Sequence, residues 1–432
     1  MMRSPDVVDR CTEYVLQTAR HVVDSCGPRA PASDGERQAQ QFMCRELEPA
    51  TDGPVTTEAF AVAQRAFMSA PCISGLLLLG AILGWWASLN LALVLSAGAL
   101  LTLVFEIGLY WQLVDPLFPK QTSHNVLAIQ RPSGQVSRRL VLNAHADAAY
   151  EWRWLYLCPR LAPFLVYYGL ASIAIVFCID AAMVTREYCG VNTAGHHLAV
   201  GLAQLAFLPG AAIGIAFTSF RHVSPGANDD LSGALIVAGL AKYLRASGIR
   251  PENTELVYLI TGSEEAGLRG AKAFTQCHKD DWNDVPTVVV TLDTIRDLEH
   301  LHVYSRDRNG TVRHDPLVCQ LLHDAGRRCG VELGYASVCL GSTDATAFTL
   351  SGHRAAALCA MDPRPADYYH NRRDCPDNMS GQCIRKTIEI VLEAIVEYDR
   401  HGLPVLAEYC LVKPNRSAVV PSNDAVCRST QR

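Results

Sequence analysis

The sequence predicts an α/β protein: a mostly parallel central sheet with helices on both faces, interrupted by an inserted four-helix transmembrane bundle. Three observations lead there. Short apolar runs alternate with helix-period segments on either side of two long blocks almost free of charge. Those blocks are each long enough to cross a bilayer twice. Between and after them, imidazole and carboxylate residues fall at the ends of predicted strands, where open parallel sheets form their sites.

The elements follow in order. Residues 5–48 read as two helices, the second capped at Ser33-Asp34-Gly35-Glu36, with Ala39, Phe42, Met43 and Leu47 on one face. From Phe67 to Phe105 there are 39 residues without a charge, with a turn expected at Ser88-Leu89-Asn90 beside Trp85-Trp86 and Tyr110-Trp111 at the returning interface. Strands near Asn125–Ile129 and Arg139–Asn143 come next. A second apolar block runs through Leu161–Ile179 and Leu198–Phe220, joined by a polar link from Asp180 to His197, with a kink at Pro209. It is approached through Trp152-Arg153-Trp154. Core helices of a soluble protein rarely run this long without charge on any face. After Arg221 the soluble pattern returns: a helix over Leu231–Ala246, a strand Glu255–Thr261, a helix after Gly267 and strands Thr287–Leu292 and His300–Tyr304. Helices near Pro316–Arg328 and Asn378–Tyr398 complete it.

This division gives a discontinuous catalytic domain of residues 1–65, 120–150 and 221–402. It is interrupted by transmembrane hairpins at 66–119 and 151–220 and followed by an irregular tail at 403–432. The 432 residues carry a net charge of −5 with no basic stripe, which argues against a nucleic-acid partner. Sixteen cysteines are scattered without a C-x-x-C pair, as expected of free thiols in a reducing compartment. The polar N-terminus lacks the apolar stretch of a cleavable signal peptide.

Five clusters could carry chemistry: His145-Ala146-Asp147, Asn228-Asp229-Asp230, Ser263-Glu264-Glu265, Leu292-Asp293 and Tyr369-His370. An all-His/Asp/Glu set suits a two-metal hydrolase, in which one shared carboxylate offsets the repulsion between neighbouring cations. Singly, each cluster has a bland reading. Asp230 reads as a helix cap, Glu-Glu as a solvated edge, and His196, His197, His222, His353 and Arg269 as interfacial or structural groups.

Their joint order resembles metallopeptidase family twenty-eight, the co-catalytic zinc aminopeptidases related to glutamate carboxypeptidase and glutaminyl cyclase. The matching stretches are LNAHAD (142–147), SPGANDDLSG (224–233), ITGSEEAGLRGA (260–271), VVTLD (289–293) and YYHNRRDCPDN (368–378), with GERQAQQF (35–42) similar to the family's N-terminal helix. Without the two apolar blocks roughly 300 residues remain, an ordinary domain size. The resemblance implies a zinc aminopeptidase-like fold and two zinc ions bridged by Asp229. His145 and Asp293 would complete one ion, Glu265 and His370 the other. It further implies Glu264 as the general base that takes a proton from the attacking water and returns it to the leaving amine, and Asp147 as the acid that orients His145. Two positions depart from the pattern. Thr343-Asp344-Ala345 replaces Ser-Asp-His, and Leu340 stands where some members carry an oxyanion-stabilising tyrosine, leaving Tyr368 and Tyr369 as substitutes.

The expectation is therefore a membrane-embedded dizinc aminopeptidase. The alternatives are carboxypeptidase, dipeptidase, amide hydrolase or cyclase chemistry on the same fold, or an inactive membrane scaffold. Arg65, Lys120, Arg153, Arg160 and Arg221 border the four crossings on one side and Arg186 on the other, so the positive-inside rule puts the catalytic domain in the cytoplasm. Asp147 lies at most ~20 Å of chain from Trp152-Arg153-Trp154 at ~3.3 Å per residue. That proximity predicts a cleft near the lipid surface and amphipathic or membrane-associated peptide substrates.

Overall fold

The computed structural model describes residues 5–279, 281–282, 284–338, 340–364 and 366–404. Most of the tail at 403–432 therefore lies outside the described residues. Eleven strands are present among them: β1 (Thr56–Val62), β2 (Gln121–Gln130), β3 (Arg138–His145), β4 (Tyr150–Trp152), β5 (Thr218–Val223), β6 (Thr254–Thr261), β7 (Thr287–Ile295), β8 (Leu301–Asp307), β9 (Val312–Arg313), β10 (Gly334–Ser337) and β11 (Arg354–Ala360). Nine form one sheet in the order β1-β2-β6-β3-β7-β11-β8-β10, with β9 on β8.

The centre, β6-β3-β7-β11, is parallel throughout. Antiparallel β1 and β2 flank it on one side and β8 on the other. All eight residues of β6 are buried, as expected for a strand covered on both faces. Helices Pro5–Cys26, Ser232–Ala246, Pro316–Arg328 and Gly381–His401 contribute to the larger core on one face. Helices Arg269–Cys277 and Ala345–Leu350 pack on the other, through Ala271, Phe274, Ala347 and Phe348. Strands β1, β4, β5, β9, β10 and β11 were not anticipated from the sequence, which placed residues 218–220 of β5 in the fourth crossing. The reason for β11 is its composition: Arg-Ala-Ala-Ala-Leu-Cys-Ala has neither alternation nor β-branched residues, and becomes a strand because β7 and β8 pair with it.

Four helices are long and apolar enough to cross a membrane: Ala66–Gly84, Leu89–Gly108, Ala162–Tyr188 and Gly195–Ile215. They pack through small residues. A Cβ on Gly75 would lie 2.7 Å from the Ala211 carbonyl oxygen, so only glycine allows that approach. Their outer surfaces carry Val94, Phe164 and Leu198 at 68%, 66% and 62% exposure, an apolar belt that water would not favour. The fourth helix breaks at Leu205–Phe207, and Pro209 begins the next turn, as its missing N–H dictates.

Two expectations are corrected here. Asp180 does not begin a polar link: its helix continues to Tyr188, with Asp180 buried in the bundle and accepting a hydrogen bond from Gln204 Nε2 at 2.7 Å. A partner inside the bundle lets an ionisable residue stay within the helix. Tyr110 is not an interfacial ring. It is buried against Phe67 (centroids 4.8 Å apart), whereas Trp111 is exposed.

Candidate metal centre

The site lies at the carboxyl edge of the parallel strands. His145 ends β3, Asp293 sits near the end of β7, and Glu264 and Glu265 follow β6 in a tight turn. Asp229 precedes the helix Ser232–Ala246, and His370 lies in the loop after β11. Chain direction in a parallel sheet sends all these strand ends to one edge. Ser263, Leu268, Thr294 and His370 adopt left-handed φ without being glycine, a strain that clusters at functional sites.

The structure brings the expected residues together. Donor atoms of His145, Asp229 and Asp293 lie within 4.8 Å of one another, as do those of Asp229, Glu265 and His370. Asp229 belongs to both of these trios; a third, His145 with Glu264 and Glu265, meets the same limit without it. Its Oδ1 is 3.2 Å from His145 Nε2 and its Oδ2 is 3.1 Å from His370 Nε2. His370 Nε2 is also 3.3 Å from Glu265 Oε2. Burial would raise the Asp229 carboxyl, but the two imidazoles hold it well below the usual carboxylate range. Burial and the charge of Asp229 instead push Asp293 up to about 7. Glu264 is raised well above its ordinary value by burial and by its neighbours Glu265, Asp344 and Asp293, against the opposing charge of His145. So many buried carboxylates facing one another call for cations. Glu265 Oε1 is buried and accepts no hydrogen bond among the described residues, as an atom kept for a cation would be. The residues present fit divalent ions that take mixed nitrogen and oxygen ligands.

Asp147 Oδ1 lies 3.3 Å from His145 Nδ1, while His145 Nε2 faces Asp229 Oδ1 at 3.2 Å. The same carboxylate accepts the backbone N–H groups of Glu264 and Glu265, both at 3.0 Å. Asp230 accepts from His145 N, Gly233 N and Thr294 N, and so braces the loop behind Asp229.

Three braces were missed in the sequence. Arg29, fully buried, donates to the carbonyls of Ala146, Pro225 and Gly226, joining the His145 strand end to the Asp229 loop. Asp374 accepts from Asn228 N, Asn228 Nδ2 and Asp229 N. Glu36 accepts from Ala32 N, Ser123 Oγ and the backbone and hydroxyl of Ser263. Burial and the charge of Asp147 push its carboxyl up to about 8. Asp374 and Glu36 do lie in the quoted motifs, but nothing in their spacing reveals which main-chain groups they reach.

The segments flanking the membrane-length helices also reach the site. Arg269 pairs with Asp115 through both guanidinium nitrogens (2.7 and 3.0 Å) and donates to the Ala266 carbonyl, which fastens the end of the first hairpin to the Glu264–Glu265 turn. Lys272 Nζ adds donations to the carbonyls of Tyr110 and Gly267. Arg372 pairs with Glu151 at 2.7 and 2.9 Å, fastening the start of the second hairpin beside His370.

Residues 214–395 match the model of peptidase family M28. The M28 segment contains Asp229, Glu264, Glu265, Asp293 and His370, whereas His145 and Asp147 precede it. Aminopeptidase YwaD of Bacillus subtilis (strain 168) is 23% identical over 184 residues, which are 40% of this chain and 38% of that protein. The alignment thus spans little more than a third of that relative. Among solved structures, the aminopeptidase from Aneurinibacillus sp. strain AM-1 superposes with a TM-score of 0.52 at 14% identity, over 90% of this chain and 95% of that one. BSAP, a zinc aminopeptidase from Bacillus subtilis, gives 0.52 at 14% over 89% and 94%. A glutaminyl cyclase from an Acidobacteriales bacterium gives 0.52 at 13% over 91% and 96%. At these identities the likeness is one of fold, which peptidases and cyclases share with the M28 segment.

Proposed function

We propose that the protein is a membrane-embedded dizinc aminopeptidase that hydrolyses the N-terminal bond of peptides lying at the bilayer surface. The observation that supports this best is the place of Asp229, one carboxylate shared between two ligand trios. His145 and Asp293 would hold one zinc ion and Glu265 and His370 the other. Bound zinc supplies Lewis-acid chemistry, polarising the scissile carbonyl and making water acidic enough to attack at neutral pH. Glu264 takes the proton of the attacking water and delivers it to the leaving amine. Its burial among carboxylates gives it the basicity this needs. Asp147 holds His145 in the tautomer that presents Nε2, and positions the Glu264 backbone.

Residues 1–65, 120–150 and 221–402 are read as one catalytic domain carrying membrane hairpins at 66–119 and 151–220. The excess of Arg and Lys bordering the crossings on the catalytic side supports a cytoplasmic location for that domain. A zinc count on protein purified in detergent, combined with a screen of free and N-blocked peptides, tests the reading. The expected result is two zinc ions per chain and cleavage restricted to free N-termini. Cleavage of N-blocked peptides would redirect it to carboxypeptidase action, and full metal with no cleavage to a scaffold.

A further inference from the structure

A cavity of about 470 Å³ lies between the start of the second membrane hairpin and the catalytic sheet. One wall is membrane helix: Ala162, Val166 and Tyr167 belong to the first turns of Ala162–Tyr188. The opposite wall, with Val338 and Met361, comes from loops of the catalytic domain. The inner end is closed by Trp152 and Tyr369, and both rings rest on the metal-ligand candidate His370, at centroid distances of 4.7 and 3.8 Å. Tyr167 on that wall is 55% exposed, and its neighbours Leu161 and Phe164, outside the cavity lining, expose 58% and 66%. The carboxylate on the cavity wall, Asp362, is engaged by Arg364 at 3.3 Å. The volume falls within the range of small-ligand sites. The space thus runs from the membrane-length helix to one aromatic ring short of the candidate metal centre, and its lining is mostly apolar, with Arg160, Asp362 and Arg364 as its charged members.

We propose that this cavity receives the large apolar side chains flanking the scissile bond of a membrane-associated peptide, and so sets the specificity of the enzyme. The inference rests on the peptidase reading above and adds the substrate class: peptides whose reactive end carries Phe- or Leu-sized residues delivered from the bilayer surface. The membrane hairpin is then part of the substrate site as well as an anchor. Both walls are required, because either alone is an open apolar surface.

The test uses the full-length, zinc-loaded protein in phosphatidylcholine vesicles. Free-N-terminus peptides carrying Phe, Leu, Ala or Gly at the first two positions are compared by kcat/KM. Wild type is expected to favour Phe and Leu over Gly by roughly 10–200-fold, the range apolar pockets deliver. Val166→Trp fills the cavity from the membrane side and Met361→Trp from the sheet side. Each is expected to erase that preference while leaving Gly peptides within about threefold of wild type, with zinc content unchanged. A parallel fall for every peptide in both variants, or no preference in wild type, overturns the cavity assignment. If a phospholipid carrying a photoreactive acyl chain labels Val166 or Tyr167 and Phe peptides fail to displace it, the cavity belongs to lipid and the proposal is likewise overturned. Absence of cleavage for all peptides by the loaded wild type strikes the peptidase reading itself. In that event a benzoylphenylalanine peptide that cross-links to residues 152–167 still supports the cavity as an apolar-peptide site, and one that does not overturns it.

Discussion

Trp152 donates its backbone N–H to the carbonyl of His370 at 2.8 Å, and the two rings meet edge to face with centroids 4.7 Å apart. A residue just before the third membrane-length helix thus holds both the backbone and the ring of a metal-ligand candidate. The other insertion reaches the residue after Glu265, through Asp115, Arg269 and the Ala266 carbonyl. His370 and Glu265 belong to one candidate ligand trio, so both apolar insertions converge on that trio.

Loosening one fastening should weaken that half selectively. Glu151→Gln breaks the two-point pair with Arg372 next to His370. The affinity of one zinc ion is expected to fall by about 10–100-fold, as for other groups that support metal ligands, while the second ion stays bound. Zinc titration against a competing chelator measures this. Equal loss of both ions, or of neither, would show that the hairpin does not support His370.

Glu264 and Asp229 separate proton transfer from metal binding. Glu264→Gln should keep full zinc and lose about 10²–10⁴ in kcat, the usual contribution of a positioned base. Asp229→Ala should lose zinc as well as turnover, because the trios with Asp293 and with His370 share that carboxylate. Metal analysis alongside steady-state kinetics distinguishes the two, and retained turnover in Glu264→Gln would remove the base assignment.

The two adjacent tyrosines offered in place of the oxyanion donor missing at Leu340 differ in what they touch. The Tyr368 phenol donates to Asp297 at 2.9 Å and is already committed. Tyr369 stacks on His370, and its phenol is held protonated by burial and by the charges of Asp229, Glu265, Asp293 and Glu264. Tyr369→Phe is expected to lower kcat by about 10²–10³ with little change in KM, the cost of losing one oxyanion donor. Tyr368→Phe should instead cost about 1–3 kcal/mol of stability by leaving Asp297 short of a donor, with kcat preserved. Kinetics and thermal unfolding on both variants check the contrast.

Membrane sidedness can be read from native thiols. Cys277, at the end of the helix Arg269–Cys277, is exposed on the catalytic domain, and Cys189 is exposed between the third and fourth membrane-length helices. A membrane-impermeant maleimide should modify Cys277 from the cytoplasmic side and Cys189 from the opposite side, with sites mapped by mass spectrometry in vesicles of each orientation. Labelling of both from one side would contradict the hairpin arrangement.

The sequence alone determined where the clustered carboxylates and imidazoles fall along the chain and which stretches are apolar enough for a bilayer. Parallel strands share a direction, so carboxylates and imidazoles at their ends must meet at one edge. An uncharged run longer than a bilayer is thick declares itself by composition. Only the tertiary structure decided how those residues are held. Arg29, Glu36 and Asp374 work by reaching main-chain atoms on distant loops, and Asp180 stays helical because Gln204 meets it inside the bundle. Strand β11 and the Trp152–His370 contact also depend on partners far away in the chain. Periodicity and composition record how each residue relates to its near neighbours, whereas a hydrogen bond across a hundred residues exists only once the fold has placed both ends.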